Sequence, residues 1–248
     1  MTVQNLAEVI CELDQIVDWA YEHESPLGYF AALYRKVTMK VAAGIQADFF
    51  DDGPRMAHLD VVFANRYLEA LALYSQGETP TGSWHVAFEA ARNPRLIILQ
   101  QLFLGINAHI NLDLGIAAAG IVQPNEMDTL KGDFDKINLI LAEMADEVQG
   151  AINGVSPGLA LLDTISGRTD ERFANFSLIM AREAAWRAAM QLAKTTSDEL
   201  DGEINRLDAL TTGLAQLIIK PSPLTQLAIR VIHWRECKEV RSIISALR

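Results

Sequence analysis

Apolar residues recur at the spacing of an α-helix along nearly the whole chain, and this pattern most constrains the fold. We find no stretch with the alternation of apolar and polar residues that is typical of a half-buried strand. The breaks between periodic segments are short and carry helix-starting residues, such as the Asp-Gly-Pro at 52–54 and the Asn-Pro at 93–94. The sequence therefore predicts an all-α fold, a bundle of about nine or ten helices joined by short loops.

Length and charge limit the kind of protein that this chain can be. It has 248 residues, of which 50% are hydrophobic, and since no linker interrupts it we expect one all-helical domain over 1–248. The formal net charge of -11 disfavours binding to nucleic acid, which needs a basic surface, and adsorption to anionic lipid. The two cysteines fit a reducing compartment and the N-terminus lacks the pattern of a signal peptide, so we expect a cytoplasmic protein. The sequence leaves the oligomeric state open.

The most apolar run of the sequence, 96–122, is long enough to span a bilayer. Polar side chains interrupt it, among them His109 and Asp113, and a histidine or aspartate at the centre of a bilayer is costly. We interpret the run as a buried central helix over 94–120, with the other helices around it, and predict no membrane span.

Four polar residues of this helix fall into two groups. At about 100° per residue, His109 and Asp113 share one face, one turn apart, and Asn107 and Asn111 lie nearly opposite. The H-x-x-x-D spacing suits a pair of metal ligands, or an acid–base pair in which Asp113 orients the imidazole. It equally suits a structural contact in which the two side chains bind each other or a neighbouring helix. We expect Asn107 and Asn111 to tie helices together.

Two other predicted helices supply side chains that could complete a site. His58 is a candidate ligand on the first, where Arg66 lies within an apolar arc and needs a buried carboxylate, either Asp113 or Asp163. Glu183 on the second is a candidate ligand or base, although an ion pair within its own helix explains it as well. The candidate catalytic residues are His58, His109, Asp113 and Arg66. The candidate ligands of a divalent zinc, iron or manganese ion are His58, His109, Asp113 and Glu183.

Several segments resemble known families. Residues 25–195 resemble a family of bacterial all-helical proteins of unassigned function, through the segments HLDVVFANRYLEAL, GINAHINLDLGIAAA, SWHVAFEAAR and FSLIMAREAAWRAA. This resemblance implies that the His58 and His109 segments belong together. A looser similarity is to the zinc-dependent phospholipase C and nuclease group, which is all-helical and binds zinc through H-x-x-x-D on a buried helix. Only His109 and Asp113 match that pattern, and the other His-rich and Asp-rich motifs and the N-terminal Trp ligand of that group are not recognisable in this sequence.

These observations support three interpretations. The first is an enzyme, a metal-dependent or His/Asp acid–base hydrolase that acts on a small, largely apolar substrate in a cavity of the bundle. The second is a binding protein for an apolar ligand such as a lipid, a terpenoid or haem, with His109 as its polar contact. The third is a closed polar network that fixes the helix register without any site. The glycine-rich motifs of nucleotide binding and the G-x-S-x-G motif of serine hydrolases are missing from the sequence.

Overall fold

The computed structural model describes residues 2–158 and 178–248. Within these residues the chain forms helices and no strand, which confirms the predicted all-α fold. The helix that the sequence predicts at 159–165, together with Asp163 and the predicted helix start at Thr169, lies outside the described residues. The described helices are α1 (Leu6–Glu22), α2 (Gly28–Gln46), α3 (Gly53–Ser75), α4 (Gly82–Ala90), α5 (Ile98–Ile121), α6 (Met127–Val155), α7 (Leu178–Leu192), α8 (Ser197–Ile219), α9 (Pro223–Arg235) and α10 (Val240–Leu247).

Local side chains set the start of several helices. Asp52 caps α3, because its Oδ1 accepts a hydrogen bond from the backbone N–H of Arg55 at 3.0 Å. Ser222 caps α9 in the same way through the N–H of Thr225 at 3.3 Å, and a proline follows each cap within the first turn. Each cap satisfies an N–H that has no partner inside its helix, and such starts are readable from sequence.

The start of the central helix α5 depends on a distant residue instead. The sequence pattern predicts a start at Pro94, but residues 94–96 form a turn and a bend, Ile97 is extended, and α5 begins at Ile98. Oε1 of the buried Glu236 accepts hydrogen bonds from the N–H of Ile98 at 3.0 Å and from the hydroxyl of Ser156 at 2.5 Å. This cap lies 138 residues further along the chain, so no local pattern could indicate it.

Helix α5 is the centre of the fold, and α2, α3, α4, α7 and α8 all pack against it. Two glycines allow this packing. A Cβ atom at Gly105 would lie 2.6 Å from ring atoms of Phe30 on α2, and one at Gly115 would lie 3.0 Å from the carbonyl oxygen of Ala185 on α7. Among the described residues α5 is the one helix long and apolar enough to cross a membrane, and 67% of its most apolar window is buried in the fold.

The middle of α5 departs from regular α-helix. Ile98–Ala108 and Leu114–Ile121 are α-helical, and His109–Asp113 between them form a π-helical turn. In a π turn the hydrogen bonds span one residue more than in an α-helix, so a uniform spacing of 100° per residue does not hold across it. Turns of this kind are frequent at functional sites, and this one contains both His109 and Asp113.

Candidate functional site

A cavity of about 690 Å³ lies between α2, α3, α5, α6 and α7. Its volume falls within the range of roughly 300–1,000 Å³ that is typical of small-molecule sites, which are also lined mainly by apolar side chains. Most of the lining is aliphatic or aromatic. The lining residues that carry a polar or charged group are Tyr34, Asp60, His109, Gln149, Asn153 and Arg182.

His109 projects from the π turn into the wall of this cavity and is only 3% exposed. The ring of Phe63 stacks on its imidazole with 3.6 Å between centroids, and Tyr34 meets the imidazole edge-on at 4.3 Å. Neither ring nitrogen has a hydrogen-bond partner among the described residues. Burial lowers the pKa of His109, and the opposing effect of Asp113 is smaller. The ring is therefore neutral near pH 7, with one N–H and one lone pair, both unpaired.

Asp113 is held by two other side chains rather than by His109. Its Oδ1 accepts a hydrogen bond from Nε of Arg66 and its Oδ2 one from Nε1 of Trp84, both at 2.7 Å. Nδ1 of His109 lies 3.8 Å from Oδ2, which is too long for a hydrogen bond. Asp113 is thus a buried anion that Arg66 neutralises, and it ties the π turn to α3 and α4.

Asp60 and Tyr34 are two further polar side chains in the cavity wall, and neither was among the site residues predicted from the sequence. Oδ2 of Asp60, the hydroxyl of Tyr34 and the neighbouring hydroxyl of Thr38 have no hydrogen-bond partner among the described residues. Burial raises the pKa of Asp60 to about 7, and burial together with the nearby Asp60 raises the pKa of Tyr34. The signal in the sequence is an aspartate inside the apolar run that starts at Leu59. We refer to Tyr34, Asp60 and His109 as the polar cluster.

The remaining predicted site residues lie apart from this cluster. His58 is exposed and does not line the cavity, because it lies on nearly the opposite side of α3 from Asp60 and the other lining residues. Glu183 is partly exposed and its Oε1 lies 3.0 Å from Nζ of Lys131. The structure therefore does not bring His58 or Glu183 to His109. Within 2–158 and 178–248, no three His, Cys, Asp or Glu side chains are close enough to hold a metal ion.

The second polar stripe of α5 faces α8. Nδ2 of Asn107 donates to the carbonyl of Thr211 at 2.9 Å, and Oδ1 of Asn107 accepts from Nδ2 of Asn111 at 3.0 Å. Nε2 of Gln100 donates to the carbonyl of Ile218 at 2.7 Å. Asn107 and Gln100 therefore join α5 to α8, which is the role that the sequence indicates for Asn107, whereas this hydrogen bond of Asn111 stays within α5.

Comparison with known proteins gives a family for the chain. A family model described as "Family of unknown function (DUF5995)" matches residues 6–221. This segment contains every residue that lines the cavity, whereas α9 and α10 lie beyond it. No curated protein and no solved structure shows a significant match to the chain.

Proposed function

The chain belongs to the DUF5995 family, and we propose that it binds a small, largely apolar molecule in the cavity beside His109. One observation carries this proposal. The polar cluster presents hydrogen-bonding atoms that have no partner within 2–158 and 178–248, including both ring nitrogens of His109, in the wall of a large apolar cavity.

Unpaired buried polar atoms are rare because they cost stability. More than about 90% of buried polar groups in proteins have a partner, and leaving one without a partner costs roughly 1–3 kcal/mol. His109, Asp60 and Tyr34 together leave several such atoms in one wall. A ligand with a hydroxyl, carbonyl or similar group at this position would supply the missing partners and recover part of that cost.

The rest of the wall supports an apolar body for the same ligand. Phe30, Phe63, Leu59, Ile110 and Phe134 are among the side chains that face the cavity. Each methylene group that moves from water into such surroundings contributes about 0.8 kcal/mol. A molecule with a hydrocarbon body and few polar groups therefore matches both parts of the wall.

Displacement of a fluorescent probe tests the proposal directly. We expect purified protein to bind the neutral apolar probe N-phenyl-1-naphthylamine with saturation, and dodecanol to displace it. Val37 lines the cavity, so Val37→Trp should fill it and weaken probe binding at least tenfold. Val231 is 43% exposed on α9 and does not line the cavity, so the matched control Val231→Trp should bind the probe within twofold of the wild type.

Two results would refute ligand binding in this cavity. The first is the lack of saturable probe binding by the wild type. The second is an equal effect of Val37→Trp and Val231→Trp, since the probe would then bind elsewhere on the protein.

A second candidate function is acid–base hydrolysis at His109, favoured by the fixed position of Asp113. Arg66 and Trp84 hold the carboxylate 3.8 Å from Nδ1 of His109, so a small closing movement would let Asp113 orient the Nδ1–H tautomer. Nε2 would then accept the proton of a water molecule that attacks an ester carbonyl in the cavity, and would return it to the alcohol oxygen as the C–O bond of the ester breaks. The test is hydrolysis of p-nitrophenyl esters of increasing chain length. Activity that persists in His109→Gln would contradict this role.

A further inference from the structure

Arg182 on α7 is a buried cation in the cavity wall. It is 4% exposed, and among the described residues no carboxylate lies within 4.0 Å of its guanidinium. Buried arginines are almost always paired with an anion, because removing a charge from water costs several kcal/mol. Because Arg182 lines the cavity and has no ion pair among the described residues, an anionic ligand in the cavity is in position to supply its counter-charge.

The hydrogen bonds that Arg182 makes fix its position without neutralising it. Its Nε donates to Oδ1 of Asn138 at 2.8 Å and its Nη2 to the carbonyl oxygen of Phe134 at 2.6 Å. The guanidinium lies over the Phe134 ring, 4.4 Å from the centroid. All of these partners are neutral, and Nη1 makes no hydrogen bond within the described residues.

The two acids that act electrostatically on Arg182 share one lysine. Asp135 and Glu183 both bind Nζ of Lys131, at 2.6 Å and 3.0 Å. Burial lowers the pKa of Arg182 to about 10, and these two acids offset the effect only partly. Arg182 is still cationic at neutral pH, and it lines the cavity, whereas Asp135 and Glu183 do not.

We propose that the ligand of the cavity is an amphipathic carboxylate of the fatty-acid class. Its carboxylate pairs with Arg182 and its hydrocarbon chain occupies the apolar space. A guanidinium suits a carboxylate because its planar N–H groups match the two oxygens, and here it is pre-oriented by Asn138 and Phe134. This inference rests on the proposed function, because it names the chemical class of molecule that the cavity binds.

The test compares dodecanoate with dodecanol, which has the same chain length without the charge, as competitors of the neutral probe. We expect the wild type to bind dodecanoate at least tenfold more tightly than dodecanol. Arg182→Gln should remove that preference and change dodecanol binding less than twofold, whereas Arg182→Lys should retain part of the preference. Arg187 is exposed on the same helix and does not line the cavity, so the control Arg187→Gln should behave as the wild type.

A series of longer acids tests the position of the chain. If the chain lies in the cavity, affinity should rise about fourfold for each added methylene until the cavity is full. Circular dichroism melting curves establish that each variant is folded. If Arg182→Gln does not fold, the preference of the wild type for the acid and its retention in Arg182→Lys carry the test.

The outcomes separate the two proposals. If neither dodecanoate nor dodecanol displaces the probe, ligand binding in the cavity fails and this inference fails with it. If both bind equally, or if Arg182→Gln weakens both equally, the carboxylate is refuted while binding of an apolar molecule stands. A preference for dodecylamine would likewise overturn the carboxylate, since it would show that an acid such as Asp60 dominates recognition.

Discussion

The wild-type protein should lose stability as pH rises because of Asp60, and replacement of Asp60 by asparagine should remove that pH dependence. Burial raises the pKa of the Asp60 carboxyl from 3.8 to about 7 in the folded protein. The unfolded chain therefore loses this proton at a lower pH than the folded chain does. Because the folded state binds more protons between pH 4 and 7, the stability contributed by protonated Asp60 is fully present below about pH 4 and is lost as pH rises through about 7.

The size of the effect follows from the two pKa values. A pKa difference of one between the folded and unfolded states corresponds to about 1.36 kcal/mol of stability. The difference between 3.8 and about 7 for Asp60 therefore corresponds to about 4 kcal/mol over the whole pH range, of which about 2–3 kcal/mol falls between pH 5 and 8. Asp60 is 9% exposed, so solvent screens it little. Since whole proteins are stable by only about 5–15 kcal/mol, a change of this size is readily measured.

Urea unfolding of ligand-free protein at pH 5, 6, 7 and 8, followed by circular dichroism, measures this effect. The free energy of unfolding of Asp60→Asn, taken relative to the wild type, should rise by about 2–3 kcal/mol from pH 5 to pH 8. Asp201 is exposed on α8, and Asp201→Asn should give a curve parallel to that of the wild type. A parallel curve for Asp60→Asn would refute the reasoning, because it would mean that Asp60 is already ionised at pH 5 in the folded protein.

Two further substitutions test the packing around α5. Asp113→Asn removes the anion that pairs with Arg66 and should lower the free energy of unfolding by about 3 kcal/mol. A double-mutant cycle with Arg66→Gln tests whether the two residues are coupled. Strictly additive effects on the free energy of unfolding would contradict a coupled pair. Gly105→Ala places a Cβ atom 2.6 Å from Phe30 and should cost about 1–3 kcal/mol and weaken probe binding. Gly120→Ala, where a Cβ meets nothing within 4 Å, is its control, and an equal loss in both would refute the steric explanation.

His109 and Asp113 have different surroundings although they share one turn of α5. Asp113 is a member of a closed network with Arg66 and Trp84, which matches the structural interpretation of this sequence motif. His109 is outside that network, and in the described part of the chain its ring nitrogens have no hydrogen-bond partner. The same H-x-x-x-D motif thus combines an aspartate that ties helices together with a histidine that lines the cavity.

The sequence indicated the parts of the site that depend on local order. The apolar period predicted the helices, and an Asp-Gly-Pro run placed the start of α3 at its observed cap. Four polar residues in a largely apolar run singled out α5 as unusual, because buried polar side chains need partners. The compensating charge of Arg66 was likewise expected from its apolar surroundings, with Asp113 as one of two candidate partners.

Other parts of the site depend on contacts between residues far apart in the chain. Trp84 donates to Asp113 from α4, and Arg182 enters the cavity wall from α7. Glu236, just after the end of α9, caps α5. No local pattern encodes how these distant parts of the chain are placed relative to α5. The π turn also shifts His109 and Asp113 relative to the regular helical register that periodicity assumes.

Local chain chemistry was therefore sufficient to predict the all-α fold and the burial of the α5 segment. A helix start or an amphipathic period depends on a few neighbouring residues, which the sequence lists in order. Whether His58, Asp60 or Arg182 faces the cavity depends on how each helix is rotated against its neighbours. That rotation is set by the close packing of many side chains at once, so it became visible only with the folded arrangement of the whole bundle.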